Sequence, residues 1–494
     1  MAKAKYVLAV DQGTTGTHVS ILDDKLRVVG SAYREFTQYF PKPSWVEHDL
    51  EEIWTSVEQC IRLALKDAGL AGKDLSAVGI TNQRETAGLW LREGGKPLGR
   101  AIVWQDRRTS DACARLREKG EEPRVRKTTG LVLDPYFSGT KLAWMLEHMK
   151  GAQKRADQGE VCFGTIDTWL VYKMTGGQAH VTDVTNASRT LLMDVATLKW
   201  DDSLRALFGV PAACLPQIRG SSESYGTTKG MKSLPDGIPI TGMAGDQQSA
   251  LFGQACFSPG EAKCTYGTGA FLLMNTGDTP VFSSAGLLTT VAWKVGDKTS
   301  YALEGSSFIA GAAVQWLRDG LKVIKKSGDV EALAASVKES GDVVFVPALA
   351  GLGAPYWRPE ARGLFGGMDR STTVAHLARA ALEGVALQIH ALTEAMRQDS
   401  GRDIPAFKVD GGASANNLMM QFQADMLGTE VVRPKNLQTT SLGAAFLAGL
   451  GAGVWTSTDA IRRAWKVDKV FKPKMKPDVR DKQLSKWRRA VERA

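Results

Sequence analysis

The sequence predicts an α/β protein made of two topologically similar halves with a cleft between them. Three observations lead there. The chain opens as strand, Gly/Thr turn, strand, and starts again in the same manner after Ala255. Short apolar runs, each leading into a polar stretch, alternate with long helical patterns, an arrangement in which ligands gather at strand ends. The 494 residues, 43% apolar and 23% charged, suffice for two large domains or three smaller ones. That composition excludes disordered, fibrous and membrane-embedded classes.

Val, Ile and Tyr enrichment with Gly/Thr punctuation predicts strands at 6–11, 18–22 and 28–36. A helix follows from Asp49, placed to cap it, with Leu50, Ile53, Trp54, Val57, Ile61 and Leu65 at helical spacing. Apolar runs at 76–80, 161–164 and 238–243 read as buried strands. The second start is a strand at 262–266, the turn Gly267-Thr268-Gly269, and a strand at 270–275. Helical patterns then cover 306–317, 374–395 and 416–427. The segment 250–260 is the candidate boundary, giving domains of residues 1–253 and 254–494.

Two features invite other classes. The net charge of +9 lies wholly in residues 462–494, which hold 13 basic and 4 acidic groups. The other 461 residues carry 49 of each sign. A solvated basic C-terminal helix explains this better than a polyanion-contacting surface, so no nucleic-acid partner is expected. Residues 436–458 contain no charge, but the apolar core of that run is short and is interrupted by Gly443, Gly449, Gly451 and Gly453. It reads as a closely packed buried helix, without membrane insertion. Six widely spaced cysteines without a CxxC pair, and an apolar stretch of only five residues before Asp11, point to free thiols, no signal peptide and a cytoplasmic location.

The turn Asp11-Gln12-Gly13-Thr14-Thr15 has two readings, an ordinary hydrophilic hairpin or a phosphate cradle of backbone N–H groups and Thr hydroxyls. In the second, Asp11 is placed to hold Mg²⁺ through water. Tyr266-Gly267-Thr268-Gly269 is equally ambiguous alone, but two such turns at corresponding places would grip a polyphosphate from both sides. Val409-Asp410-Gly411-Gly412-Ala413 is a third Gly-rich turn, either a plain connection or backbone bared to a flat ring. Asp246, where a strand meets a helix, is a cap or a general base kept ionised by the helix dipole. Arg84–Glu85, after a strand, is a solvated pair or a donor–acceptor set for a polyol. Trp104 and Tyr136 are by default core aromatics.

The order of DQGTT, PKPSWVEHD, GITNQRET, IVWQDRRT, LDPYFSGTK, DTWL, VTNASRT, AGDQQSALFGQ, TYGTGAFLLMNTG, GLGAPYW, VDGGASANN and SLGAAFLAG decides more than any one of them. From Tyr6 to about Trp455 the chain resembles the FGGY carbohydrate kinases of the actin-like ATPase superfamily, and among them the members that phosphorylate glycerol. The resemblance implies two actin-like (ribonuclease H-like) ATPase domains flanking a nucleotide and substrate cleft. It also implies ATP-dependent conversion of glycerol to sn-glycerol 3-phosphate, with ATP and Mg²⁺, in a homo-oligomer. Carried over residue by residue, it implies a glycerol pocket of Arg84, Glu85, Tyr136 and Asp246, with Trp104 and Phe271 as apolar walls and Gln247 as a further contact. Asp246 would be the catalytic base. Thr14, Thr15, Gly16, Gly267 and Thr268 would hold phosphates, Asp11 and Asp246 would sit near Mg²⁺, and Gly311, Gln315, Gly412 and Asn416 would line the nucleotide site. His18 stands where such members commonly carry a phosphate-reaching Arg. The stretch 227–237 lacks the Gly/Arg loop with which some bacterial members bind an inhibitory sugar bisphosphate. A kinase for another small polyol or ketose is the alternative within the family. A nucleotide-gated binding module is the alternative outside it.

Overall fold

The computed structural model describes residues 5–494. Its first sheet consists of β1 (Tyr6–Gln12), β2 (Gly16–Asp23), β3 (Val28–Glu35), β4 (Leu75–Asn82) and β5 (Ile240–Gly245). Their order is β5-β4-β1-β2-β3. The hairpin β1–β2–β3 is antiparallel, while β4 lies parallel to both β1 and β5. Helix α1 (Leu50–Ala68) covers one face with Leu50, Ile53, Val57, Ile61 and Leu65, and Asp49 caps it by accepting from the N–H groups of Glu51 and Glu52. Strand β4 runs past the predicted end at Ile80, because Thr81 and Asn82 still find backbone partners in Asp11 and Gln12. The apolar run at 161–164 does form a strand, Val161–Thr165, but in a separate four-stranded sheet.

Helix α2 (Asp246–Gly253) leads out of β5 towards the second sheet. That sheet contains β6 (Ala262–Tyr266), β7 (Ala270–Gly277), β8 (Leu288–Val295), β9 (Lys298–Ser307), β10 (Phe407–Asp410), β11 (Val431–Pro434) and β12 (Val467–Phe471), in the order β8-β9-β7-β6-β10-β11-β12. Without the edge strands β8 and β12, β9-β7-β6-β10-β11 repeats β3-β2-β1-β4-β5 with the same parallel and antiparallel pairings. The two halves therefore share one topology. The helix expected at 306–317 begins later, as α3 (Gly311–Asp319), since Ser306 and Ser307 are still laddered to Phe271 and Ala270 of β7. Helix α4 (Val374–Ser400) extends to an αL cap at Gly401, and α5 (Asn417–Leu427) is capped by Asn416.

The uncharged stretch forms α6 (Thr439–Gly451), a second-half helix lying on first-half backbone. A Cβ at Gly79 of β4 would meet the Ala444 carbonyl oxygen at 2.2 Å, and one at Gly443 would meet the Ser249 carbonyl oxygen at 1.8 Å. Glycine is required there by close approach. The basic C-terminal stretch is not one solvated helix. It supplies β12 and then α7 (Pro477–Arg493), which buries Leu484, Trp487, Ala490 and Val491 and turns its charges outward. The expected solvated basic helix is thus α7, whose apolar stripe docks it, while the residues before it pair as edge strand β12. All six cysteines are free and buried. Among the described residues no helix is long and apolar enough to cross a membrane.

Candidate functional site

The three Gly-rich turns lie along the seam between the two sheets, the first linked to the others through α6. The β1–β2 turn is closed by Gly13 N–H donating to the Gly16 carbonyl at 2.9 Å. Gln83 supports it, Nε2 donating to Gln12 Oε1 at 3.0 Å and to the Gly13 carbonyl at 3.1 Å. Thr14 accepts from Trp104 Nε1 at 2.9 Å, and Thr15 is exposed. Gly16 has a packing reason of its own, since a Cβ there would lie 2.6 Å from the Arg34 carbonyl oxygen.

The β6–β7 turn repeats the closure, with Gly267 N–H donating to the Gly269 carbonyl at 2.9 Å. Gly311 N–H donates back to the Gly267 carbonyl, and Ala310 and Ala312 N–H to that of Thr268, so the start of α3 is stitched to this turn. The third turn lies directly beneath. Gly411 has φ 82, and a Cβ on it would meet the Tyr266 carbonyl oxygen at 2.5 Å. Gly267, Thr268, Gly311, Gly412 and Asn416 thus form one neighbourhood, with Gln315 exposed one turn further along α3. Asn416 Oδ1 is occupied in capping α5, accepting from Met419 N–H at 2.9 Å.

Helix α6 joins the halves through its first turn. Ser441 donates to Asp11 Oδ2 at 3.2 Å and lies 3.1 Å from His18 Nδ1. Thr439 donates to Asp410 Oδ2 at 2.7 Å, as does Gln254. Burial holds the His18 imidazole below its ordinary pKa, so it is neutral at pH 7.

The polar pocket residues do come together, but more deeply than a solvated pair. Arg84 and Glu85 are 2% and 1% exposed. Arg84 Nη1 and Nη2 donate to Glu304 Oε2 and Oε1 at 2.5 and 2.8 Å, Nη1 also reaches Gln248 Oε1 at 3.1 Å, and Nη2 reaches the Tyr136 hydroxyl at 3.3 Å. Its Nε lies 3.3 Å from Asp246 Oδ1. Glu85 sits in the left-handed region at φ 61, a strain of about 1–3 kcal/mol that surrounding bonds must hold. Arg189 Nε donates to Glu85 Oε1 at 2.6 Å and Ser138 donates to the Glu85 carbonyl at 3.0 Å. The Trp104 and Tyr136 rings meet edge to face with centroids 5.7 Å apart. Phe271 stands half-buried on β7, across from Ser306.

Asp246 is the first helical residue and Gly245 the cap position, so the capping role falls away. Its Oδ1 accepts from the Gln247 N–H at 2.7 Å. Burial raises its pKa above the carboxylate range, and Arg84, then Lys263, pull it back. Gln247 Oε1 accepts from Lys263 Nζ at 2.5 Å. Asp11 is pushed up to about 7, by burial first and then by the charge of Asp246.

Two mutually repelling carboxylates are a donor set that suits a hard divalent cation. Among the described residues there is no cluster of three His, Cys, Asp or Glu able to hold a metal alone. Mg²⁺ does not need one, because it keeps several waters and takes one or two carboxylates plus substrate phosphates. Asp11 and Asp246 fit that requirement.

Sequence reasoning missed Glu304, Arg189 and Lys263. A signal existed for two of them. Glu304 in YALEGSS and Lys263 in EAKCTY are isolated charges in apolar strands, each fully buried.

Family models for the N-terminal and C-terminal domains of the FGGY family of carbohydrate kinases match residues 6–253 and 262–452. A protein named glycerol kinase from Myxococcus xanthus is 77% identical, with each chain covered in full. One of the same name from Bdellovibrio bacteriovorus is 53% identical, also over the whole of both. The crystal structure of Plasmodium falciparum glycerol kinase with ADP superposes with a TM-score of 0.93 at 39% identity, covering 99% of this chain and 98% of that one. A gluconate kinase from Lactobacillus acidophilus, at 23% identity and a TM-score of 0.88, shares the fold.

Proposed function

The chain belongs to the FGGY family of carbohydrate kinases, and from that premise we propose an ATP-dependent glycerol kinase that yields sn-glycerol 3-phosphate and ADP. The observation that carries this reading is the 77% identity over full length to the Myxococcus xanthus glycerol kinase. The enzyme is a phosphotransferase acting on an alcohol group.

The site roles are part of the same proposal. Arg84, Glu85 and Tyr136 read the hydroxyls of glycerol, Trp104 and Phe271 flank its carbons, and Gln247 is a further contact. Asp246 accepts the proton of the attacking hydroxyl as that oxygen bonds to the γ-phosphorus and the bond to the β,γ-bridging oxygen breaks. Its raised pKa makes it a stronger base, and the contact with Arg84 aims it. The turns at Thr14–Gly16 and Gly267–Thr268 supply N–H and hydroxyl donors for phosphate oxygens, so the protein acts mainly by positioning. Gly311, Gln315, Gly412 and Asn416 face the nucleoside, and His18 the phosphates. Mg²⁺, held by Asp11 and Asp246 through water, would neutralise phosphate charge. Residues 1–253 and 254–494 are the two domains, in a cytoplasmic homo-oligomer without a nucleic-acid partner. The test is ADP release with glycerol, dihydroxyacetone, erythritol and xylulose. Glycerol should be strongly preferred, and turnover without any polyol would overturn the reading.

A further inference from the structure

Arg84 meets protein acceptors on every edge of its guanidinium, yet those contacts differ in kind. The two bonds to Glu304, 2.5 and 2.8 Å, are a bidentate, charge-assisted pair. The contacts to Tyr136 and Asp246, both 3.3 Å, are long. Glu304 therefore anchors one edge of the guanidinium, and the loosely held edges face the groups assigned to glycerol. Glu304 Oε1 also accepts from Arg189 Nη2 at 3.0 Å, and Arg189 Nε holds Glu85 at 2.6 Å. Glu85 lies 3.9 Å from Arg84 Nε, which closes a ring of two arginines and two glutamates. All four are 2% exposed or less. Among the described residues Arg189 Nη1 has no hydrogen-bond partner, and its guanidinium carbon lies 5.5 Å from the centre of the Tyr136 ring and 5.1 Å from that of Phe137. The ring thus also touches the third polyol-reading residue. Three of its members come from the first half, but Glu304 stands on β9, an inner strand of the second sheet next to its edge strand β8.

We infer that Glu304 and Arg189 are positioning residues for polyol recognition, and that the second half sets the first half's hydroxyl readout through Glu304. This rests on the glycerol kinase reading. A carboxylate from the opposite sheet can aim Arg84 only while the halves are in register, so selection of the substrate is tied to the seam.

The test compares wild type, Glu304→Gln and Arg189→Lys by steady-state kinetics and thermal melting. Glu304→Gln keeps the size and loses the charge. Arg189→Lys keeps the charge and loses the planar fork, so it remains informative if the first variant does not fold. KM for glycerol should rise at least about 10-fold, with KM for ATP changed less than about 3-fold, the pattern of lost substrate binding. Preference in kcat/KM for glycerol over 1,2-propanediol should fall about 10-fold, because the site no longer penalises a missing hydroxyl as sharply. A lowered melting temperature with both the KM ratio and that preference unchanged would assign the ring to structure alone and overturn the inference. Wild-type enzyme without glycerol-dependent ADP release would instead remove the kinase reading, and this inference with it.

Discussion

His48 lies fully buried beside the β1–β2 turn, where Nε2 meets Gln38 Oε1 at 2.6 Å and Nδ1 meets Gln83 Nε2 at 3.3 Å. Gln38 Oε1 can only accept, so the neutral ring carries its proton at Nε2, and a second proton on Nδ1 would face the Gln83 amide nitrogen, which is a donor and cannot accept it. Burial accordingly lowers the pKa from 6.5 to about 4. Between those values the unfolded chain binds the proton and the folded chain does not. This residue's contribution to stability is therefore whole above pH 6.5 and declines as the pH falls towards 4, by about 3 kcal/mol. His48→Gln should flatten the acid limb of stability against pH in urea titrations, and an unchanged slope would deny the neutral assignment. Asp246→Asn tests the chemistry at the same scale. It retains size and hydrogen bonding to Gln247 N–H but cannot accept a proton, so kcat should fall about 10²–10⁴-fold with KM for glycerol changed less. Near-normal kcat in a folded variant would remove Asp246 as the base.

Among the described glycines, the shortest approach of a would-be Cβ to a neighbouring backbone falls on α6. A methyl group at Gly443 would sit 1.8 Å from the Ser249 carbonyl oxygen, and rigid backbone cannot yield as a side chain would. Gly443→Ala should destabilise by at least about 3 kcal/mol, the upper end of overpacking costs, and lower activity as α6 lifts from α2. Gly328→Ala, where a Cβ would meet nothing within 4 Å among the described residues, is the control and should change stability by no more than about 1 kcal/mol. Equal unfolding midpoints for the two would show that α6 is free to shift. What was legible in the sequence follows from how local each determinant is. Asp49 as a cap, the β1–β2 and β6–β7 turns and the uncharged helix are written in contiguous residues, and each is found where periodicity or turn chemistry put it. The ends of β4 and β9 were not, because Thr81 and Ser306 are strand residues only by virtue of partners far along the chain. The same applies within the site. Arg84 and Glu304 are separated by 220 residues, and no spacing rule connects them. The assignment of Arg84, Tyr136 and Asp246 to one pocket came from the order of motifs across the chain, and their mutual contacts accord with it.

In the molecule as a whole, the residues proposed to line the glycerol site come from both halves. Arg84, Glu85, Trp104, Tyr136 and Asp246 belong to the first half, and Phe271 to β7 of the second. Their separation is fixed by buried bonds across the seam, Arg84 to Glu304 and Lys263 to Gln247. A polyol longer than three carbons must push the walls apart. Doing so stretches bonds between buried charged groups, which are costly to leave unpaired. Glycerol should therefore exceed erythritol and xylulose by at least about 10²-fold in kcat/KM, a ratio that polar readout in a closed site can supply. Phe271→Ala removes the second-half wall without touching the ion ring, so it should narrow that ratio chiefly by lowering kcat/KM for glycerol while adding some for the C4 polyol. Initial rates of ADP release across the series measure both effects. Comparable wild-type turnover of glycerol and xylulose would mean that the seam does not set the length of the pocket, and an unaltered ratio in Phe271→Ala would mean that β7 does not line it.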